Sequence, residues 1–403
     1  MLALSEYINN VILLRIVFLT IEFFNIALFF YSGLKIRYLK RNEDYWKYAS
    51  LPIVSYSLCR GLRFGRGVDY NAYYDVYYSI GQEFDSTNHE LLFKAINWLM
   101  YQLGLSYQTF IFLCSLLLIW VLMIALKDYK KAAPLILLYF LYETRNAGIY
   151  IRWYLGFSFF FLSYLSLIRC KITLFILYTV FSVLMHLGCI LLTPVLLLFY
   201  KLGRPVLPSP IVVGLLFLSI VLGGVHLLEG LIPYLEFVSM WAERTQGYTD
   251  RFEELINGDW GTGINRFSLF ASIRIFLQYF FPIIYAPSLI KSELDTKSIS
   301  LNFFYIGVII LPIFNSLELF DRYSMAFMFF SVFICGTTYY KAFKKFKNLS
   351  VFFQLSCLIG FSFSIYAVFA EIIYQSRYWF NMLFIWDAGN LKTLPIWVFH
   401  MYD

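Results

Sequence analysis

The chain has 403 residues, of which 60% are hydrophobic, 21% aromatic and only 14% charged, and its formal net charge is +7. Soluble domains carry about 25% charged residues, so this composition excludes a fold whose surface faces water. Apolar runs of about 20 residues, the length that crosses a bilayer as a helix, recur along the whole sequence. We therefore predict an all-α, polytopic integral membrane protein with a single transmembrane domain over residues 1–403 and about 10–12 transmembrane helices, some of them broken or re-entrant.

Clusters of lysine and arginine separate the apolar runs and predict the topology. By the positive-inside rule these clusters face the cytoplasm, and one alternating path satisfies all of them with both termini outside. Outer loops follow at about 63–106 and about 230–266. The predicted spans are 11–31, 47–62, 107–126, 132–144, 149–168, 172–185, 187–200, 210–229, 267–290, 299–320, 323–340 and 349–371.

Lysine and arginine separate on this path. The cytoplasmic side holds 14 of the 16 lysines but only four of the 16 arginines. Orientation alone would use either residue, so outward arginines indicate fixed guanidinium groups for phosphate or carboxylate oxygens. The arginines outside, or in the membrane toward that face, are Arg60, Arg63, Arg66, Arg145, Arg152, Arg244, Arg251, Arg266, Arg274, Arg322 and Arg377.

The first two spans carry the first charged residues of interest. In the first span, Arg15 and Glu22 lie seven residues apart, which puts them on one helix face and predicts a structural ion pair. After the second span, glycines at 61, 65 and 67 predict a loop whose backbone N–H groups can also meet an anion. Asp69 in this loop would orient an arginine or act as a base, and a salt-bridged exit loop is the structural alternative. The candidate substrate-binding residues here are Arg63, Arg66, Tyr70 and Tyr74.

The middle of the chain predicts helices broken at membrane depth. Residues 132–144 are too few to span comfortably, and 172–200 must supply two passes from 29 residues interrupted at His186. The alternative, one long tilted helix, would invert the downstream topology. Broken helices are tolerated where they line a cavity, and they indicate a site. Its candidates are Arg145, which Glu143 could neutralise, Arg152, which has no acid nearby in sequence, and His186 as a base.

The late part of the chain adds further candidates toward the outer face. Arg266 and Arg274 precede or open a late span, and Glu318–Tyr323 is predicted as an outward turn. In that turn, Arg322 and Tyr323 are candidate substrate contacts, and a local ion cluster with Glu318 and Asp321 is the alternative interpretation.

Metal, cofactor and nucleic-acid chemistry have no signal in the sequence. The six cysteines form no C-x-x-C pair, and the four histidines have no metal-ligand spacing. No G-x-G-x-x-G or P-loop motif is present, and no basic helix with interleaved aromatic residues lies outside the apolar runs. We predict no metal, no cofactor and no nucleic-acid partner.

Taken in order, these segments resemble the EpsG-like branch of the Wzy-type bacterial polysaccharide polymerases. The resemblance covers about residues 55–330 and rests on Gly-Leu-Arg…Gly-x-Asp-Tyr-x-x-Tyr-Tyr at 61–74, the Arg152 helix, Phe181-x4-His186, and Arg322-Tyr323. The chain departs from the pattern after Arg152, where Trp153 and Gly156 stand in place of the expected Gln and Ala.

The resemblance implies a GT-C-like glycosyltransferase of O-antigen or exopolysaccharide assembly in the bacterial inner membrane. Such enzymes act on the periplasmic side, with undecaprenyl-diphosphate-linked glycans as donor and acceptor and without metal or nucleotide sugar. Membrane lipid and a chain-length-regulating co-polymerase are the further partners implied. Two alternatives remain open at this point, namely a flippase or transporter of lipid-linked oligosaccharide, and an O-antigen ligase.

Overall fold

The computed structural model describes residues 2–41, 43–65, 68–222, 269–291, 298–314, 318–377 and 382–385 of the chain. These residues form helices and turns, and no β-sheet occurs among them. They group into two compact units, one within Met1–Lys201 and Tyr366–His400 and the other within Leu202–Ile365. The all-α fold expected from the composition is confirmed.

Fifteen α-helices account for most of the described residues. Their bounds are α1 Leu2–Arg37, α2 Tyr45–Gly61, α3 Val68–Gln82, α4 Leu91–Gln102, α5 Tyr107–Leu126, α6 Ala133–Glu143, α7 Ile151–Ile168, α8 Ile172–Met185, α9 Leu192–Leu202, α10 Ser209–Leu222, α11 Leu269–Leu289, α12 Ile299–Phe314, α13 Glu318–Met328, α14 Ser331–Lys344 and α15 Val351–Gln375.

Six helical stretches within the described ranges are long and apolar enough to cross a membrane, and these make the protein polytopic. They are Val11–Arg37, Tyr107–Glu143, Ile151–Ile168, Phe270–Leu289, Asp321–Lys344 and Val351–Gln375. Four shorter apolar helices lie between them, at Ile172–Met185, Leu187–Leu202, Ser209–Val221 and Ile299–Ile313. The predicted outer loop at about 63–106 contains α3 and α4, whereas the predicted loop at about 230–266 lies outside the described residues.

Three basic clusters that the sequence assigns to one side of the membrane meet at one end of the first unit. We call this end, which contains Lys127 and Arg169, the lysine end. There the Lys127 Nζ lies 4.4 Å from the centroid of the Trp46 ring, and Arg169 Nη2 donates to Asp128 Oδ2 at 2.9 Å. Helix α2 starts at this end with Tyr45, so Arg60 lies near its other end, about 22 Å away. The lysine end and Arg60 are therefore at opposite ends of α2.

Helices α7 and α8 form a closely packed hairpin. Ser182 Oγ donates to the Gly156 carbonyl at 2.7 Å, and the hydroxyls of Ser163 and Thr179 lie 2.7 Å apart. Small residues let helix backbones approach, and hydroxyl bonds between helices are favoured where no water competes. A Cβ added at Gly156 would lie 2.9 Å from Cys189 Sγ and 3.0 Å from His186 Cβ. The glycine that departs from the family pattern is thus required by this close contact.

The predicted helix break at His186 is confirmed. Helix α8 ends at Met185, His186 is extended with φ −153° and ψ 112°, and a 3₁₀ turn follows at Leu187–Leu191 before α9. The short helix predicted at 132–144 is also found, as α6, between 3₁₀ turns at Lys127–Ala132 and Arg145–Gly148.

The second unit contains α10 to α14 and part of α15. The turn before α10 is fixed by Asn302 of α12, which donates to the Arg204 carbonyl at 3.0 Å and accepts from the Val206 N–H at 2.8 Å. The outward turn predicted at Glu318–Tyr323 is wrong, because these residues form the first turns of α13. The polar residues there gave a turn signal, but they are compatible with an amphipathic helix as well.

Candidate active site

A buried ion cluster joins the first helix to the end of the second. Glu22 of α1 accepts from Arg63 Nη2 at 2.7 Å, and Arg60 Nη1 lies 3.4 Å from the same carboxylate oxygen. All three side chains are at least nine-tenths buried, with 4% exposure for Glu22 and 6% for each arginine. We call Glu22, Arg60 and Arg63 the first cluster.

The first cluster has one positive charge more than its carboxylate balances. Two guanidinium groups share Glu22, and the Nε atoms of both are buried without a hydrogen-bond partner in the part of the chain that is described. Burying an uncompensated charge is costly, so such an arrangement suits a cluster that receives an anion.

Arg15, predicted to pair with Glu22, instead donates from Nε to the Ser376 carbonyl at 3.0 Å. That predicted pair is therefore wrong.

The backbone that carries Arg63 is held from two sides. Phe64 N–H donates to the Leu383 carbonyl at 3.1 Å, and Ile385 N–H donates to the Leu62 carbonyl at 3.0 Å. On the other side, the Gln108 amide of α5 donates to the carbonyls of Gly61 and Arg63. These bonds fix the direction in which the arginine leaves the main chain.

A second ion pair lines a cavity next to the first cluster. Arg145 Nε lies 3.8 Å from Glu371 Oε2, and Arg145 Nη1 donates to the Tyr142 carbonyl at 3.2 Å. The free space in the cavity is about 20 Å³, room for a single water molecule. Glu22, Arg60, Arg145 and Glu371 are among its lining residues.

The second cluster lies at the helix break and contains two of the predicted catalytic residues. Arg152 Nη1 donates to Glu90 Oε2 at 2.9 Å, and the N–H of Leu187, the residue after His186, donates to Glu90 Oε1 at 3.0 Å. Arg152 is in the first turn of α7, and Glu90 directly precedes α4. Arg152, which has no acid nearby in sequence, thus pairs with Glu90, 62 residues away.

The pKa of Glu90 is lowered below its ordinary value. Burial acts to raise it, but the charge of Arg152 and the hydrogen bond from Leu187 N–H outweigh that effect. Glu90 is therefore ionised at neutral pH.

The hydrogen bonds of His186 decide where its proton lies. Its Nδ1 accepts from the Gly188 N–H at 3.1 Å, and its ring stands edge-to-face against Trp153 with centroids 5.0 Å apart. A nitrogen that accepts a hydrogen bond carries no proton, so the neutral ring is protonated at Nε2. In this tautomer Nε2 carries the ring proton.

One short segment connects the two clusters. The 3₁₀ turn Arg145–Gly148 leads directly into α7, whose first turn contains Arg152. A Cβ added at Gly148 would lie 3.3 Å from Arg63 Nη1, so the turn packs against the first cluster. Three predicted arginines, Arg63, Arg145 and Arg152, are therefore near this segment.

The other predicted site residues have different positions. Tyr70 is 4% exposed and donates to Gln108 Oε1 at 2.9 Å, within an aromatic cluster of α3, α4 and α5. Tyr74 is 41% exposed and packs edge-to-face on Tyr107. Arg274, Arg322 and Tyr323 belong to the second unit, on α11 and α13. Arg66, Arg266 and the side chain of Asp69 lie outside the described residues.

The acids that pair with the arginines were not recognised from the sequence. Glu90 and Glu371 were not singled out, and Glu22 was given the wrong partner. Each lies in or beside an apolar run, where a lone carboxylate is expensive, and that cost is the signal that would have indicated a buried cationic partner. Among the described residues, no group of three or more His, Cys, Asp or Glu side chains could hold a metal ion.

Comparison with known proteins identifies one family. A family model described as the EpsG family matches residues 46–382, more than four-fifths of the chain. No curated protein matches the chain, and no solved structure matches it either.

Proposed function

The chain belongs to the EpsG family, and from that premise we propose that it is a membrane glycosyltransferase that polymerises lipid-linked oligosaccharide repeat units. Family membership supports a membrane role of the polysaccharide-polymerase type. The proposal goes further in three respects: the glycans are carried on undecaprenyl diphosphate, the product is an O-antigen or exopolysaccharide, and the reaction takes place on the periplasmic face of the bacterial inner membrane.

The proposed reaction moves a growing glycan between two lipid carriers. The bond between the donor's anomeric carbon and its diphosphate oxygen breaks, and undecaprenyl diphosphate leaves with the bonding electrons. A hydroxyl oxygen on the terminal sugar of the acceptor forms the new bond at that carbon, and its proton passes to a base. Negative charge develops on the leaving diphosphate, and preorganised cations at low dielectric stabilise it.

The observation that supports this role is the surplus of buried positive charge in the first cluster. Arg60 and Arg63 share one carboxylate and keep unpartnered Nε atoms among the described residues. A diphosphate supplies the missing negative charge. The adjoining cavity has room for only about one water molecule, so a diphosphate would fit there only after the Arg145 and Glu371 side chains separate.

Roles for the remaining candidates follow from their chemistry. Arg152 stabilises the leaving group with the donors that Glu90 does not use, and His186 donates from Nε2. Asp69 is then the base that accepts the hydroxyl proton, because the Nδ1 of His186 is already an acceptor for the Gly188 N–H. The candidates proposed to contact substrate in addition are Arg63, Arg66, Tyr70, Tyr74, Arg145, Arg266, Arg274, Arg322 and Tyr323.

The test is polymerisation of a purified lipid-linked repeat unit by the purified protein, with product length read on a gel. We expect Asp69→Asn and Arg152→Ala to stop chain growth and His186→Ala to slow it. The matched control is Arg169→Ala, which removes a half-exposed arginine from the lysine end. Full activity of Asp69→Asn would remove the proposed base, and full activity of Arg152→Ala would remove the leaving-group role.

A cellular experiment distinguishes the alternatives. In cells without the protein, a polymerase defect leaves lipid-linked single units but no long chains. A flippase defect leaves no surface glycan at all. A ligase defect leaves long chains attached to the carrier lipid.

The proposed orientation has its own test. Of the six cysteines, Cys170 is exposed, and it lies at the lysine end next to Arg169. If that end faces the cytoplasm, a membrane-impermeant thiol reagent should label Cys170 only in permeabilised cells. Labelling in intact spheroplasts would reverse the orientation of the first unit.

A further inference from the structure

We propose that Glu90 is a positioning residue of the second cluster. It holds Arg152 at a fixed distance from the helix break at His186. This inference deepens the proposed function and rests on it for its catalytic consequence. The geometry itself rests only on contacts within the first unit.

The Glu90 carboxylate accepts hydrogen bonds from two donors. One carboxylate oxygen accepts from Arg152 Nη1 at 2.9 Å, and the other accepts from the Leu187 N–H at 3.0 Å. These donors belong to different elements, the first turn of α7 and the 3₁₀ turn after α8. One planar group with two acceptors therefore fixes the distance between them.

The break needs such support because the end of a helix leaves backbone groups without intrahelical partners. After His186 the main chain is extended, and the Leu187 N–H finds its acceptor in Glu90. The next N–H, of Gly188, is satisfied by His186 Nδ1. Two consecutive backbone donors at the break are thus paired by side chains, one of which is Glu90.

The same pairing orients Arg152. With Nη1 held by Glu90, its Nε–H is buried and has no partner in the part of the chain that is described. The Arg152 side chain is 17% exposed, so the guanidinium donors at its surface can meet an incoming anion. Glu90 thereby directs the arginine instead of neutralising every donor.

Glu90 is unsuited to act as the base itself. Both carboxylate oxygens of Glu90 already accept hydrogen bonds. Burial acts to raise the pKa of Glu90, but Arg152 and the Leu187 N–H lower it further than burial raises it. An efficient base has a pKa near the working pH. A positioning role agrees with both observations.

The decisive variant is Glu90→Gln. A glutamine has the same shape, but its amide accepts at one oxygen only and its NH₂ would face the second donor. One of Arg152 Nη1 and Leu187 N–H must then lose its partner. The matched control is Asp85→Asn, a carboxylate in the same connection between α3 and α4 whose side chain is 81% exposed beside Lys94.

Two independent measurements test the proposal on the full-length protein. Hydrogen exchange followed by mass spectrometry should show the backbone amides at 186–190 exchanging at least about tenfold faster in Glu90→Gln, and unchanged in Asp85→Asn. In the polymerisation assay, Glu90→Gln should lower kcat by about a hundredfold with a smaller change in KM, because misplacement by about 1 Å has an effect of that size.

A double-mutant cycle identifies the route of the effect. If Glu90 acts through Arg152, the double variant Glu90→Gln/Arg152→Gln should be no slower than Arg152→Gln alone. Additive losses, or unchanged exchange at 186–190, would overturn the proposal. If Glu90→Gln folds poorly, Glu90→Asp replaces it as the test variant. Glu90→Asp keeps the charge on a shorter side chain and should therefore retain part of the activity. No activity in Glu90→Asp would also count against the proposal. Wild-type protein without polymerase activity would contradict the proposed function, whereas the exchange experiment would still decide the role of Glu90.

Discussion

Glu22→Gln in the first cluster should lower the stability of the fold. The substitution keeps the size of the side chain and removes the one carboxylate that Arg60 and Arg63 share, at 3.4 and 2.7 Å. Both guanidinium groups are at least nine-tenths buried, so neither can turn to water without disturbing the helices. Removing one partner of a buried ion pair costs about 3–5 kcal/mol, because an uncompensated charge remains.

The prediction is measured as the free energy of unfolding in mixed micelles, followed by circular dichroism. A loss of about 3 kcal/mol lowers the folding equilibrium constant more than a hundredfold. The control is Asp128→Asn, whose partner Arg169 is 37% exposed and whose own side chain is 59% exposed. This surface pair should contribute about 1 kcal/mol or less.

A second substitution tests the cause of the loss. Removing one of the two buried cations in Glu22→Gln/Arg60→Gln should restore part of the lost stability, because fewer charges are then left without a counter-ion. The reasoning would be refuted if Glu22→Gln unfolds within about 0.5 kcal/mol of the wild type, the range of ordinary surface substitutions.

Three further predictions concern the connections around the clusters. Gly156→Ala should lower stability by about 1–3 kcal/mol, because its Cβ would meet Cys189 Sγ at 2.9 Å; an unchanged melting temperature would show that α7 and α8 can separate freely. Gln108→Leu should cost about 1–3 kcal/mol by removing the donor to two carbonyls at the end of α2, and the polymerisation rate should fall with it. The pKa of Glu90 is lower in the folded protein than its ordinary value of 4.5, so ionised Glu90 stabilises the fold at pH values above 4.5. This contribution is lost as the pH falls through the lower pKa of the folded state. The difference in melting temperature between wild type and Glu90→Gln should therefore shrink below pH 4.5, and a constant difference would show that the ionised pair with Arg152 does not matter.

The sequence was sufficient for properties that depend on local composition. Apolar runs predict spanning helices because the bilayer thickness sets their length, and the all-helical, polytopic fold follows from that requirement alone. The same length argument predicted the break at His186, since 29 residues cannot supply two complete passes. The separation of arginine from lysine is also a prediction from the sequence, because counting spans assigns each residue to a side of the membrane.

Only the tertiary structure decided which carboxylate meets which arginine. Glu22 is 41 residues from Arg63, and Glu90 is 62 residues from Arg152. Pairs across such distances depend on how helices are placed and turned against one another, which no local pattern encodes. For this reason a seven-residue spacing suggested a pair between Arg15 and Glu22, whereas packing of α1 against α2 gave Glu22 two closer cations. The arginines of the two clusters could be found in the sequence, but the acids that pair with them became recognisable only when the helices were packed.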